Sequence, residues 1–468
     1  MKKPELLMPA GSLDVLKTAF AFGADAVYLG GDMYGLRAKA KNFPPEDMIA
    51  GISYAHERGK KVYVTVNITA HNRDLPGLIQ YLTELEQMKP DGLIISDPGV
   101  FELAGEYAPS IERHISTQAN NVNYLTYKFW YEHGARRVVS ARELSLNEIR
   151  EIRDHIPEDM EIESFVHGAM CISYSGRCLL SNYLAGRDAN LGACTHPCRW
   201  RYYLMEETRP GEYMPVEETD RGTYIFNSKD LCMVDHIPEM VDAGINSLKV
   251  EGRMKTALYV ATVARAYRNA IDMYFENPEA YRENIPVYFD EITKCTNRRF
   301  TTGFYFGKPG SDSQVYENST YVKEYVYYGT VESVKYVSGT AAAEDAAAEN
   351  AAANTMTDTV SVPAVGSGMS DLAPAPAADS GMSDLAPAPA AGSGIISVCT
   401  LEQKNKFCVG DTLEVLSPGP IRPRYVRVLR ITDEEGNDMP SCPHASQTIT
   451  VTVDGPVREQ DIFRGKAK

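Results

Sequence analysis

Four cysteines fall within one short stretch of the sequence, and a fifth follows it: Cys171, Cys178, Cys194, Cys198 and Cys232. The first four are separated by six, fifteen and three residues, among arginines and among glycines that permit sharp turns. Grouped thiolates are the ligands that soft metal ions and iron–sulfur clusters need. The grouping therefore predicts a metal or cluster site, and small core cysteines are the alternative.

The spacing of these cysteines leaves the kind of metal open. None of the gaps is the C-x-x-C pair of a zinc ribbon, so zinc and an iron–sulfur cluster both remain possible. Disulfides are not expected, because the N-terminus MKKPELLMPAG lacks the apolar segment of a signal peptide and the cytosol keeps thiols reduced. The other four of the nine cysteines are scattered and are expected to have ordinary core or surface roles.

Composition is that of a water-soluble globular protein. Hydrophobic residues make up 44% and charged residues 24% of the 468 residues. No run approaches the roughly 18 uncharged apolar residues of a membrane span, and a cytoplasmic location is expected. The net charge of −16 argues against a broad nucleic-acid surface but is compatible with a local basic one.

Short apolar runs alternate with amphipathic stretches along the first half of the chain. Eight such runs are predicted as strands: Glu5–Gly11, Asp25–Gly31, Lys61–Asn67, Asp91–Asp97, Arg113–Gln118, Arg136–Ala141, Met160–Gly168 and Asn246–Arg253. Strands that each feed a helix predict an α/β fold with a parallel (β/α)8, TIM-like barrel, and an open doubly wound sheet is the alternative. The cysteine-rich segment is then an insertion after strand seven.

The predicted domains follow from changes in composition. The barrel is assigned to residues 1–285, with the cluster-binding region at 163–235, a helix over LCMVDHIPEMVDAG and a long helix from Thr256 to about Phe275. Residues 286–339 and 395–468 are assigned to a small C-terminal antiparallel β-barrel, beginning with a strand pair in YVKEYVYYGTVESVKYV. Residues 340–394, which repeat SGMSDLAPAPAA, lack core-forming side chains and are predicted to be a disordered insertion.

Polar residues at the ends of the predicted strands are the candidates for chemistry, because active sites of such barrels form at the C-terminal ends of the strands. Glu163, His167 and Glu251 are candidates for proton transfer. Four cations are candidates for gripping an anionic substrate: Arg177, Arg187, Lys249 and Arg253. By strand alternation Lys249, Glu251 and Arg253 share one face. Asn67, Asp97, Thr117, Gln118 and Arg142 also end strands, and any of these residues alone could instead cap a helix.

Two arginine-rich segments could face RNA. Arg298 and Arg299 stand beside the aromatics of RRFTTGFYFG, which could stack bases but more readily form an aromatic core seam. A second group in the C-terminal segment could be an RNA-facing patch or a solvated strand face: Arg422, Arg424, Arg427 and Arg430.

The motifs ESFVHGAMC, SGRC, GRDANLGAC and CRW, with FNSKDLC, SLKVEGR and RRFTTGFYFG, resemble those of the collagenase-like peptidase family. Within it the chain is most similar to the prephenate-dependent tRNA uridine hydroxylases, over roughly residues 4 to 335 and again from near 395. The segment 340–394 departs from the family pattern.

This resemblance implies a barrel that carries an iron–sulfur cluster, expected to be [4Fe-4S]. It implies oxygen-independent hydroxylation of the wobble uridine in the tRNA anticodon loop to 5-hydroxyuridine, with prephenate, a small dicarboxylate, as the hydroxyl donor. The implied ligands are Cys171, Cys178 and Cys194, with either Cys198 or Cys232 as the fourth. Such a base must be unstacked, which suits a loop nucleotide.

Other classes of function compete with this interpretation. A peptidase is one, although the chain has neither a G-x-S-x-G elbow nor an H-E-x-x-H helix and only a Cys171 and His167 pair as a possible nucleophile and base. A hydroxylase of a ribosomal RNA cytidine is another. A non-catalytic RNA-binding or metal-storage protein is the third.

Overall fold

The computed structural model describes residues 2–35, 42–171, 174, 178–187, 194–195, 197–199, 228–309, 313, 322–338 and 395–467, with four two-residue strands between 204 and 223. The predicted insertion at 340–394 lies outside the described residues. The described chain forms two compact units. One comprises Met1–Val326, Pro418–Arg422 and Lys466–Lys468, and the other Tyr327–Ser417 and Pro423–Gly465.

The first unit extends further along the chain than the predicted boundary at 285. Its last two long helices, α9 (Ala257–Glu276) and α10 (Pro278–Thr293), are joined by a buried ion pair. Arg265 lies 2.8 Å from the carboxylate of Glu291, and neither side chain is accessible to water. The second helix therefore belongs to the barrel unit.

Eight parallel strands form the closed barrel of the first unit, as predicted. They are β1 (Glu5–Pro9), β2 (Ala26–Leu29), β3 (Lys61–Val66), β4 (Gly92–Ile95), β5 (Glu112–Ile115), β6 (Arg137–Val139), β7 (Glu161–Gly168) and β13 (Ser247–Val250). Each pairs with the next, and β13 closes the barrel by pairing with both β1 and β7.

Helices follow most of the barrel strands. They are α1 (Leu13–Ala21), α2 (Pro45–His56), α3 (Leu75–Met88), α4 (Pro98–Tyr107), α5 (Tyr124–Glu132), α6 (Leu146–His155), α7 (Leu180–Ala185) and α8 (Ile237–Asp242). Side-chain caps fix several starts: Ser12, Asp97, Asn123 and Thr256 each accept a hydrogen bond from a first-turn amide. At α6 a reciprocal capping box joins Ser145 and Glu148. None of the described helices is both long and apolar enough to cross a membrane.

Between β7 and β13 the chain makes further short strands. Two hairpin-like pairs are β8 (Leu204–Met205) with β9 (Tyr213–Met214), and β10 (Glu218–Thr219) with β11 (Gly222–Thr223). They are followed by β12 (Asp230–Cys232), which runs antiparallel to β7, and β12 later pairs with β14 (Phe300–Thr301).

The predicted helix over LCMVDHIPEMVDAG is thus wrong in its first part, because Asp230–Cys232 is a strand and the helix begins at Ile237. Strand β6 ends opposite Glu163, so it does not pair with the C-terminal part of β7. Strand β12 pairs there instead, at His167 and Gly168.

The second unit is a closed antiparallel barrel of six strands, as predicted. Their order is β15 (Tyr325–Ser338), β16 (Ile395–Glu402), β19 (Thr448–Val453), β18 (Tyr425–Thr432), β17 (Thr412–Leu416) and β20 (Ile462–Lys466). The strand pair predicted in YVKEYVYYGTVESVKYV is instead the single long strand β15. An irregularity in its pairing with β16, between Val331 and Ser333, accompanies this length.

Candidate functional site at the barrel mouth

A cation, a carboxylate and an aromatic ring meet where β6, β7 and β13 end. Nη2 of Arg142 donates to Oε2 of Glu251 at 3.1 Å, and its guanidinium lies 3.9 Å from the ring centre of Phe165. Both charged side chains are mostly buried. The three strands are neighbours, so the residues that end them are brought together. Phe165 was not among the sequence candidates, although it lies two residues after Glu163 and therefore on the same face of β7.

Arg253 crosses the mouth from the other side. Its Nη1 donates to Thr65 Oγ1 at 3.0 Å, and it passes so close to Gly30 that a Cβ at that position would collide with it. The guanidinium therefore reaches from the end of β13 over the ends of β2 and β3, and it is 9% exposed. Near it, Nδ2 of Asn67 donates to Gln118 Oε1 at 2.7 Å.

The prediction that Lys249, Glu251 and Arg253 share one face of a strand is wrong. Strand β13 ends at Val250, and Gly252 has a φ of +150°, which favours glycine. Lys249 contacts Glu163 inside the barrel, whereas Glu251 contacts Arg142 and Arg253 contacts Thr65 at the mouth.

Lys249 and Glu163 form an ion pair inside the barrel. Nζ of Lys249 lies 2.6 Å from Glu163 Oε1, and Arg137 lies 3.0 Å from Oε2. Burial would raise the pKa of Glu163, but the charges of Lys249 and Arg137 outweigh burial and lower it, so the carboxylate stays ionised. Because Glu163 balances the charge of Lys249, Lys249 is not well placed to bind an anionic substrate.

His167 packs against aromatic rings instead of facing Glu251. Its ring centre lies 5.6 Å from that of Tyr267, 6.0 Å from Tyr259 and 5.7 Å from Phe300. Burial lowers its pKa to about 3, helped by the charge of Lys255, so the ring is neutral near pH 7.

The cause of this orientation is an extra residue in β7. Phe165 pairs with Lys249 but His167 pairs with Val250, and this bulge turns His167 away from the side that Phe165 faces.

Cys232 is separated by environment from the other candidate ligands. It is 2% exposed on β12, its Sγ lies 3.9 Å from Tyr267 Oη, and burial raises the pKa of its thiol to about 12. By contrast Cys171 and Cys194 are exposed, and Cys178 and Cys198 are half-buried. All four belong to the connection that leaves the C-terminal end of β7, the same end as Arg142 and Glu251.

The type of donor set fits a cluster, since four accessible thiols lie in one connection. Within the ranges given above, however, no three His, Cys, Asp or Glu side chains are gathered closely enough to hold a metal ion. Arg187 is half-buried in this connection, and Arg177 lies outside the described residues.

The arginine-rich segments have structural contacts. Tyr305 Oη donates to the backbone oxygen of Phe165 at 2.5 Å, and Arg298 is buried, so RRFTTGFYFG forms a seam on the barrel. In the second unit Arg430 makes a two-point ion pair with Asp438, and Arg424 contacts Asp461, whereas the Arg427 side chain is exposed.

Comparison with known proteins adds to this geometry. The two barrels with a cysteine-rich connection define a two-unit barrel protein, and a family model matches each part. Residues 11–315 match the model of peptidase family U32, and residues 393–464 match the model of its C-terminal domain. The chain therefore belongs to peptidase family U32, which confirms the family expected from the motifs.

Its relatives include proteins named for RNA hydroxylation. The chain is 37% identical to tRNA hydroxylation protein P1 of Bacillus subtilis over 464 residues, which is 99% of this chain and 95% of that protein. It is 43% identical to tRNA hydroxylation protein P of Escherichia coli, over 68% of this chain and 78% of that protein. It is 33% identical to the 23S rRNA 5-hydroxycytidine C2501 synthase of E. coli, over 68% of this chain and 47% of that protein.

Proposed function

We propose that this protein hydroxylates a nucleobase in RNA, and specifically the wobble uridine of tRNA to 5-hydroxyuridine, without oxygen and with prephenate as the hydroxyl donor. The observation that carries the proposal is the 37% identity to a tRNA hydroxylation protein along nearly the whole chain, both units included. The arrangement of cations and carboxylate at the barrel mouth supports it.

The reaction sets requirements for the site. Replacing the C5 hydrogen of uridine with a hydroxyl inserts one oxygen atom and removes two electrons from the base. A donor that gives up its hydroxyl and takes the hydrogen in return accepts those two electrons, so no oxygen molecule is needed. The site must therefore hold an unstacked base and a dianionic donor together and keep water out.

Arg142 and Arg253 are proposed to hold the donor. Guanidinium groups suit carboxylates through two parallel hydrogen bonds, and these two reach over the mouth from opposite sides. Glu251, beside Arg142, is proposed to accept or return the proton at the base. The ring of Phe165, which packs against Arg142, offers an apolar surface next to this pair. This assignment moves the anion grip from Lys249 to Arg142.

Cys171, Cys178, Cys194 and Cys198 are proposed to hold an iron–sulfur cluster. The support is their shared connection at the mouth and their accessibility, in contrast to Cys232. When bound, such a cluster would supply electron transfer next to the base and the donor. The residues of the chain itself bind and orient the two substrates.

Nucleoside mass spectrometry of tRNA and ribosomal RNA from cells with and without the gene tests the proposal. We expect 5-hydroxyuridine and its derivatives to disappear from tRNA, to return with the wild-type gene, and to fall at least tenfold with Arg253→Gln or Arg142→Gln. The matched control is Arg150→Gln on the outer helix α6, which should restore the nucleoside fully.

The ribosomal substrate is the second candidate, because of the similarity to the 23S rRNA synthase. Unchanged tRNA with loss of a hydroxylated ribosomal cytidine would transfer the same chemistry to that substrate. Unchanged pools of both RNAs would contradict the proposed function.

A further inference from the structure

We propose that the N-terminal face of the barrel, opposite the mouth, is a second binding site, for a small polyanion bearing phosphate or carboxylate groups. A cleft of about 340 Å³ opens there, next to the starts of β1 and β3. Six cationic side chains line it: Lys2, Lys3, Lys60, Lys61, Arg137 and Arg268.

The lining carries more positive than negative charge. Only three carboxylates line the cleft, so its formal charge is +3. Arg137 contacts Glu5 at 2.7 Å and Glu161 at 2.6 Å, and Arg268 contacts Asp25 at 2.9 Å. The two arginines and their carboxylates thus form a preorganised floor. Of the four lysines, Lys3 pairs with Asp272 and Lys60 pairs with Asp25, so the surplus charge belongs to Lys2 and Lys61.

Two lysines at the rim are available to a ligand. Among the residues that the structure describes, neither Lys2 nor Lys61 forms an ion pair, and both side chains are exposed. Lysine binds phosphate as a mobile point charge, and rim lysines above a fixed floor can close on an anion.

The surplus charge persists at neutral pH. Burial would raise the pKa of Glu5, but Arg137 outweighs burial and lowers that pKa to about 2. Glu5 is therefore ionised and already paired with Arg137, and an added anion would balance the charges of Lys2 and Lys61. A volume of this size is in the range of small-molecule sites, roughly 300 to 1,000 Å³, which suits a di- or trianion.

The cleft is separate from the mouth. Arg137, Glu163 and Lys249 form a continuous buried chain of contacts along the barrel axis, and Tyr28 lies 4.5 Å beyond Lys249. These side chains fill the space between the two ends of the barrel. An anion bound below is therefore distinct from the donor proposed for Arg142 and Arg253, and the inference does not depend on the proposed function.

Isothermal titration of the full chain with pyrophosphate, and in parallel with citrate, at fixed ionic strength tests the site. We expect saturable one-site binding to the wild type. The double variant Lys2→Glu/Lys61→Glu should weaken it at least tenfold, and the single variant Lys61→Gln should weaken it severalfold.

Two control variants locate the bound anion. Lys323→Glu makes one of the two Lys→Glu replacements of the double variant at an exposed lysine of the same unit, away from the cleft, and should retain wild-type affinity. Arg253→Gln removes a cation of the mouth and should also retain it.

Three results would overturn the inference: no saturable binding at 10 mM of either anion, on the order of the weakest useful affinities; equal affinity in the wild type and the Lys61→Gln variant; or loss of binding in Arg253→Gln alone. The last result would mean that the anion binds at the mouth. Circular dichroism of each variant shows whether it is folded. If the double variant does not fold, the single variant Lys61→Gln still tests the site.

Discussion

Glu163, Lys249 and Arg137 are charged side chains buried inside the barrel, where they form ion pairs with one another. Removing charged groups from water costs several kcal/mol each, and the ion pairs offset this only while every partner is present. From the sequence, Lys249 and Glu163 looked like strand-end residues available to a substrate. Because each is within 3.0 Å of an opposite charge and shielded from water, we infer that their first role is to hold the barrel together.

Replacing Lys249 with methionine should destabilise the barrel by about 3 to 5 kcal/mol, because Glu163 loses a buried partner. Urea unfolding followed by tryptophan fluorescence measures this, since Trp130 is buried on helix α5 of the barrel unit. The double variant Glu163→Gln/Lys249→Met should lose clearly less than the sum of the two single losses. Additive losses would show that the two side chains do not stabilise each other.

The fourth ligand of the proposed cluster can be tested at single residues. Cys198→Ala should lose most of its bound iron and sulfide, whereas Cys232→Ala should keep them, because Cys232 is buried on β12 beside Tyr267. Iron and sulfide analysis after anaerobic purification measures both. Cys408→Ala, a half-buried cysteine of the second unit, is the matched control. Full metal content in Cys198→Ala would reverse the assignment.

At the scale of elements, close approaches between loops shape the mouth. The carbonyl of Arg253 lies where a Cβ of Gly11 would be, so the end of β1 and the connection after β13 touch through their backbones. Backbone cannot move aside as a flexible side chain can, so this contact fixes the position of Arg253.

Gly11→Ala should therefore destabilise the barrel by about 1 to 3 kcal/mol, as overpacking does, and reduce hydroxylated nucleoside in cells. The control is Gly99→Ala in the first turn of α4, where the nearest atom to the new Cβ is a carboxylate oxygen at 3.1 Å. It should cost less than Gly11→Ala, because a side-chain oxygen can shift where the backbone cannot. Thermal unfolding of the two variants compares them, and equal melting temperatures would show that the mouth tolerates the displacement.

The elements also show which features the sequence could predict. The eight strands and helix α9 were predicted to within a few residues, because their apolar periodicity reflects burial in the fold. The β7 bulge was not, because alternation places His167 on the side of Phe165 and only the pairing with β13 shows the extra residue. Strand β12 was missed because its apolar residues continue into a helical pattern, and the unpaired edge of β7 is a tertiary feature.

At the scale of the whole molecule, the N-terminal strand is tied to the barrel by Glu5, which contacts Arg137 on β6 and accepts hydrogen bonds from Tyr63 on β3 and Ser247 on β13. Its pKa falls from 4.5 to about 2 because Arg137 outweighs the effect of burial. A carboxyl group whose pKa is lower in the folded protein stabilises it above the unfolded pKa and loses that effect as pH falls toward the folded pKa.

Glu5→Gln should consequently cost about 3 kcal/mol of unfolding free energy at pH 7, from the difference in pKa. Between pH 5 and pH 3 the difference from the wild type should shrink by more than half. Urea unfolding at several pH values measures it, with Glu46→Gln, an exposed carboxylate on α2, as the control. A difference that stays constant over this range would mean that Glu5 acts through packing and not through its charge.

The second unit offers a test of how much of the chain its barrel requires. Ser338 at the end of β15 and Ile395 at the start of β16 are paired directly across the ladder, so the two strands already have the register of a hairpin. Two-residue Asn-Gly turns join such strands readily, because their twist matches that of the sheet. Replacing residues 339–394 with Asn-Gly should leave the melting temperature and the hydroxylated tRNA nucleoside unchanged.

A second replacement, by a flexible Gly/Ser linker of the original length, separates the effect of sequence from that of length, since lengthening a loop costs little. If both replacements fold but lose the nucleoside, residues 339–394 take part in the activity; if the Asn-Gly variant alone fails to fold, the register at Ser338 is not that of a closed hairpin.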